Sequence, residues 1–220
     1  MPFGLLLLLV EAQWSPLLRA DDAARDNLHA FALTRGGFVA VMEALSNIGR
    51  WWAYLICFTV VIGWLLWRRL VRLALFVVVT VGGSGLLNEL VKLAVHRARP
   101  VLIDPIANET GTSFPSGHAQ GAMVGYAVLL LVFLPVLHGA ARPIAFTVAV
   151  LMVLAIGFSR VALGVHYVSD VLAGYVLGAA WVALMVASFN TWRREGGRGP
   201  ADLAAGLEPE IGPGLDPREI

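Results

Sequence analysis

LVRLALFVVVTVGGSGLLNELVKLAVHRARP, residues 70–100, decides the fold. From Leu70 to Val91 the only charges are Arg72 near the start and Glu89 near the end, and Thr80, Ser84 and Asn88 are the only other polar side chains. That is long enough to cross a hydrocarbon core, which takes about 20 residues. A backbone in that medium meets its own hydrogen-bonding needs only as a helix. The run then meets Lys92, His96, Arg97 and Arg99 in close succession. Charges at a bilayer boundary are costly enough to mark a site or a pairing. Glu89 and Lys92, three apart, are neighbours on a helix and are expected to pair.

Working outward, the 220 residues are 58% hydrophobic and only 14% charged, with a mean hydropathy of +0.76. This is the composition of an integral membrane protein. A formal net charge of +1 gives no reason to expect a nucleic-acid partner. Cys57 is the single cysteine, so no intramolecular disulfide forms, and its apolar surroundings make it a packing or lipid-facing residue.

Further spans are expected at Trp51–Trp67, Ala119–Leu137, Ile144–Phe158 and Val171–Phe189. Tryptophans close both ends of the first of these, as an interfacial belt does. Ile144–Phe158 is short for a span, which suggests that the polar residues beyond it lie within the membrane boundary. The run Phe3–Val10, broken by Glu11 and Gln13, reads as a marginal first spanning helix with a truncated start. Residues 19–50 read as amphipathic helices at the membrane surface, parted by Gly36-Gly37. The expected fold class is therefore all-α, a polytopic helical bundle of about six transmembrane helices. Arg68, Arg69 and Arg72 on one loop, with Arg193, Arg194 and Arg198 near the end, are expected in the cytoplasm. His138, near Arg142 and Pro143, reads as a loop residue on that side. The segment from Lys92 to His118 and the segment around His166 then face the extracytoplasmic side of the cell membrane. The Gly-, Pro- and charge-rich tail, residues 193–220, reads as disordered.

Two further clusters carry chemistry. Phe114-Pro115-Ser116-Gly117-His118 leads directly into an apolar run. Pro115 fixes a φ, Gly117 lets backbone approach a ligand, and an anion can sit on the N–H groups where the next helix starts. In Ser159–Asp170, Arg160 and His166 point about 240° apart on one continuous helix, at 3.6 residues per turn, so a break near Gly164 is expected. His166 and Asp170, at i and i+4, share a face of the last helix, where a carboxylate can orient an imidazole.

Lys92 with six residues before Arg99-Pro100, then Pro115-Ser116-Gly117-His118, then Ser159-Arg160 with five residues before His166 and three before Asp170 together resemble the tripartite signature of the type 2 phosphatidic acid phosphatase family. That family shares its site with the vanadium haloperoxidases. The resemblance implies that Lys92, Arg99 and Arg160 clamp phosphate oxygens with help from Ser116 and the Gly117 backbone. It implies that His166 is the nucleophile, held by Asp170, and that His118 is the general acid. It makes residues 51–192 the catalytic unit and a membrane lipid phosphate, a monoester or an isoprenoid diphosphate, the substrate. Three cations and backbone donors suit the charge that builds on a transferring phosphoryl group. No cofactor is expected, because there is no acidic cluster for magnesium and no His/Cys set at zinc spacing. His96 and Arg97, in the spacer of the first motif, are expected to be charges on the rim. A phosphotransferase with the same first half-reaction, or a transporter that binds an anion without chemistry, would use the same cations.

Overall fold

The computed structural model describes residues 2–195 and Leu207. Those residues form α1 (Pro2–Glu11), α2 (Ser15–Leu33), α3 (Gly36–Ile48), α4 (Trp51–Trp67), α5 (Val71–Val95), α6 (Gly117–Phe133), α7 (Ala141–Ala162) and α8 (Val168–Glu195), with a short 3₁₀ turn, Leu134–Val136, after α6. No strand occurs among them. The tail from Gly196 onward, Leu207 aside, lies outside the described residues.

The protein is a multi-pass membrane protein. α5, α6 with its 3₁₀ extension, α7 and α8 are each long and apolar enough to cross a bilayer. α3 and α4 meet at 45° and α1 and α2 at 90°, so the count rises to six if each bent pair is one span. Large apolar side chains such as Leu55, Ile56, Val60, Val79, Leu151 and Leu154 point outward, an arrangement that suits lipid and would aggregate in water. Trp51 and Trp67 stand exposed at the two ends of α4. α7 runs past the expected limit at Phe158 to Ala162. Hydropathy ended that span too early because Ser159 and Arg160 continue the helix as buried polar residues.

α6 is the central post and packs on α5, α7 and α8. Against α8 the approach is backbone to backbone. A Cβ at Gly174 would lie 2.7 Å from the Ser116 carbonyl oxygen, and one at Gly178 would lie 3.1 Å from the Gln120 carbonyl oxygen. Two glycines four apart on one face let membrane helices approach this closely. Farther from the site, Leu65, Val77 and Val128 from α4, α5 and α6 fill the core. α7 ends in a turn through Gly164 at φ +72°, the expected break, and that turn releases His166 from the helix. The end of α5, the loop 96–116, the start of α6, the end of α7 and the start of α8 thus converge at one end of the bundle.

Gly174→Ala should lower the melting temperature in detergent more than Gly178→Ala, because the first methyl meets rigid backbone below contact distance. Overpacking of this kind costs about 1–3 kcal/mol, which is several degrees for a chain of this size. Equal or reversed shifts would contradict the α6–α8 packing.

Candidate active site

Lys92, Arg99 and Arg160 reach one cavity from three different elements. Lys92, in the last turn of α5, pairs with Glu89 at 3.4 Å as the i,i+3 spacing predicts. Its ammonium lies 3.9 Å from where a Gly117 Cβ would stand, which places it beside the start of α6. Arg99 spends its Nε on the carbonyls of Thr110 and Gly111, both at 3.2 Å. Its Nη1 donates to the Val165 carbonyl at 3.0 Å and lies 3.2 Å from His166 Nε2. Burial pulls the Arg99 guanidinium below its ordinary range, against the carboxylates of Glu109 and Asp170. Arg160 is 2% exposed; it donates to Ser46 Oγ on α3 and pairs with Glu109 at 2.8 Å. Although burial works the other way, the Arg160 hydrogen bond and the nearby cations hold the Glu109 carboxyl below the usual carboxylate range. A carboxylate is therefore seated among the cations.

The histidine dyad is built across the α7–α8 turn. Arg99 has no acceptor to offer, so His166 Nε2 receives its N–H and the ring proton belongs on Nδ1. Nδ1 faces Asp170 Oδ2 at 3.5 Å and Ser113 Oγ at 3.4 Å, both at the long limit for hydrogen bonds. Asp170 itself is tightly held: Ser113 Oγ donates to Oδ2 at 2.5 Å and the Tyr167 N–H at 2.9 Å. Arg97 donates to Oδ1 at 2.6 Å. Burial, and then repulsion by Arg99 and Arg160, push the His166 imidazole below its ordinary pKa despite the pull of Asp170. The ring thus favours its neutral form, with the Nε2 lone pair turned toward Arg99 at the polar end of the cavity.

His118 sits one residue into α6. Its Nε2 is buried and has no hydrogen-bond partner, while its ring packs beside Gly49 at the α3–α4 corner, 3.1 Å from the Cβ position of that glycine. Ser116 caps α6, its Oγ receiving the Ala119 N–H at 3.5 Å, so the positive end of that helix faces the cations. Below them Asn88 donates to Gln120 at 2.7 Å, and Gln120 donates to the Ser84 carbonyl and Oγ, both at 2.9 Å.

The cavity measures about 560 Å³ and is lined by Lys92, Arg99, Gly117, His118, Arg160 and His166 at its polar end. It continues as a groove between α4, α5 and α6 past Tyr54, Phe58, Ile62, Val81 and Val124. Leu55 and Val78 line that groove and are also exposed on the outer face, so it opens sideways. Of the residues chosen from sequence, Ser116 and Asp170 stand behind the wall and the rest line it. Arg97 is a correction: instead of a rim charge it is tied by ion pairs to Asp170 and Asp21 with 11% of its side chain exposed. His96 does remain exposed. Sequence reasoning missed Ser46, Ser113 and Glu109, and no periodic signal marks them. Among the described residues, no group of three His, Cys, Asp or Glu side chains is placed to hold a metal ion.

The PAP2 superfamily model matches residues 73–194. Over 115 residues the chain is 39% identical to a phosphatidylglycerophosphatase B of Bacillus subtilis, covering 51% of this chain and 53% of that one. It is 35% identical to a lipid A 1-phosphatase of Rhizobium johnstonii, over 49% of this chain and 44% of that one. The chain thus spans about half the length of these two relatives. An undecaprenyl-diphosphatase of Sulfolobus acidocaldarius is 24% identical over 82% of this chain and 86% of its own. Among solved structures, a transmembrane PAP2 type phosphatidylglycerolphosphate phosphatase from Bacillus subtilis superposes with a TM-score of 0.73 at 29% identity, covering 88% of this chain and 96% of that one.

Glu109 occupies the cation cluster that an anion would fill. Glu109→Gln should therefore tighten binding of inorganic phosphate about three- to tenfold, roughly 0.7–1.4 kcal/mol, read by titration calorimetry in detergent. Unchanged or weaker binding would show that Glu109 does not compete for Arg160.

Proposed function

The chain belongs to the PAP2 superfamily, and from that premise we propose that it is a membrane phosphatase that hydrolyses lipid phosphate monoesters or diphosphates through a phosphohistidine. The observation that carries this reading is the continuity of the cavity, with cations and histidines at one end and a lipid-facing apolar groove at the other. A phosphoryl group held by Lys92, Arg99 and Arg160 leaves its alkyl chain in that groove. Glu109 is displaced as the phosphate enters.

Arg99 and Arg160 each present a planar fork to the oxygens, and Lys92 adds a point charge. The N–H groups at Gly117 complete the cradle at the start of α6. Nε2 of neutral His166 attacks phosphorus, and the alkoxide leaves with a proton from His118. Asp170 balances the positive charge that appears on the phosphorylated imidazole. His118 then takes a proton from water, which attacks phosphorus and frees His166 and phosphate. A protein that only binds anions has no use for a lone pair on His166 backed by Asp170, nor for an unpartnered His118 nitrogen. The arginines at the α4–α5 turn, Arg68 and Arg69, lie at the far end of α5 from the site. By the positive-inside rule the site opens on the extracytoplasmic face.

The two histidines should separate experimentally. His166→Ala should abolish turnover on every substrate. His118→Ala should lose about 10²- to 10⁴-fold on a lipid alkyl phosphate yet still give a burst of p-nitrophenol from p-nitrophenyl phosphate, whose leaving group departs unprotonated. A burst from His166→Ala and none from His118→Ala would reverse the roles.

A depressed His166 also sets the pH profile. The attacking form is the neutral one, and a lowered pKa keeps it populated as pH falls, so activity should persist below about 6.5, where free histidine titrates. The acid limb of kcat/KM, corrected for substrate ionisation, checks this, and a limb above that value would contradict it.

A further inference from the structure

Behind the dyad, on the side away from the cavity, lies a second layer of charge. Arg97 Nη1 donates to Asp170 Oδ1 at 2.6 Å and to Ser169 Oγ at 2.7 Å. Its Nη2 donates to Asp21 Oδ2 on α2 at 2.9 Å. Asp21 Oδ1 in turn accepts the backbone N–H of Ser169 at 2.9 Å, and its Oδ2 accepts the Ser169 hydroxyl. The guanidinium lies over the Tyr167 ring, 4.3 Å from its centre. Asp21 is 2% exposed, Ser169 1% and Asp170 0%.

Two buried carboxylates flank one planar cation, and each group in the layer has partners on more than one element. Burial without pairing would be prohibitive for any of these charges. The geometry is also directional. A guanidinium that donates to Asp170, Ser169 and Asp21 at once has no freedom to turn, and Asp21 caps the first turn of α8 from another helix, where free N–H groups await an acceptor. Asp170 receives Ser113 and Tyr167 on one oxygen and Arg97 on the other, so the plane of its carboxylate is set from both sides. His166 finds that plane already fixed.

Resting on the phosphatase reading, we propose that Arg97 is a positioning residue of the reaction: anchored by Asp21 and Ser169, it fixes the Asp170 carboxylate behind His166. Neither Arg97 nor Asp21 lines the cavity that takes the phosphate, so they act on the rate of phosphoryl transfer and not on its binding. The N-terminal helix α2 is thereby part of the catalytic apparatus without touching substrate.

The test compares Arg97→Met, Arg97→Lys, Asp21→Asn and the double variant Asp21→Asn with Arg97→Met, in detergent, on one lipid monoester. Misplacing a reacting group by about an ångström costs on the order of 10²-fold. Arg97→Met should therefore lower kcat by about 10- to 100-fold and leave KM and inhibition by inorganic phosphate within about threefold. Arg97→Lys should recover part of the rate, since an ammonium reaches one carboxylate but not both in fixed geometry. Asp21→Asn should be milder, and the double variant should be no slower than Arg97→Met, as two members of one network are non-additive.

A raised KM with kcat retained would overturn the inference and make Arg97 a steering charge. Multiplying losses in the double variant would overturn it too. So would parallel loss of rate, phosphate inhibition and melting temperature with no recovery in Arg97→Lys, which marks a purely structural role. No phosphate release by the unaltered chain from any lipid monoester or diphosphate would instead fail the phosphatase reading, and the inference with it.

Discussion

A carboxylate without solvent exposure, Asp170, holds the site end of the bundle together. Its backbone carbonyl receives the Ser116 N–H at 3.0 Å, which ties the start of α8 to the start of α6. Its side chain draws in Arg97 and Ser113 from the two ends of the long loop and, through Arg97, Asp21 from α2. An ionised carboxylate in such a place is tolerable only when every lone pair is used. The demand for partners therefore brings four separate parts of the chain to one point. The loop 96–116 closes over it with a backbone hydrogen bond from Ser113 to Arg97 at 2.8 Å.

The same rule governs the cations. Arg160 lies deep among α3, α7 and the loop, and Ser46 and Glu109 are its companions. Both partners are of a kind that an incoming phosphate can replace or supplement. The Glu109 carboxylate thus helps to keep these cations ordered. Glycine does comparable work on the helices. A Cβ at Gly49 would lie 2.6 Å from Ile156 and 3.1 Å from the His118 ring, and one at Gly174 would lie 2.7 Å from the Ser116 carbonyl oxygen, so these two glycines let His118 and the Ser116 backbone pack closely against their neighbours.

Much of this was legible in the sequence because the relevant residues break strong patterns. Lys92, Arg99, His118, Arg160 and His166 interrupt apolar runs, and the runs themselves locate the spans. The break at Gly164 follows from the angle between Arg160 and His166. What was hidden lies where no pattern exists to be broken. Asp21 is one of three acids on a polar, amphipathic helix, and nothing in its spacing separates it from Asp22 and Asp26, which pair at the surface with Arg25. Ser113 and Glu109 lie in a loop whose path no periodicity reveals. Arg97 looked like one more charge in a basic stretch, because burial is a property of what packs over a residue. The extra turn of α7 was missed for a related reason: hydropathy treats Ser159 and Arg160 as the end of a span, whereas partners from other elements make them part of its interior.

The sideways groove below the cations would also give the proposed reaction two phases. On the proposed reading the alcohol product keeps its tail between α4 and α5 and departs by lateral diffusion in the bilayer, whereas inorganic phosphate departs to water past the loop. Once separated they are diluted into different media, one two-dimensional and one three-dimensional, and recombination requires both to return to the same cavity at once. On that reading, dilution into separate media makes it rare for both products to meet again in the cavity, so the rate of the reverse step falls with the volume each has reached.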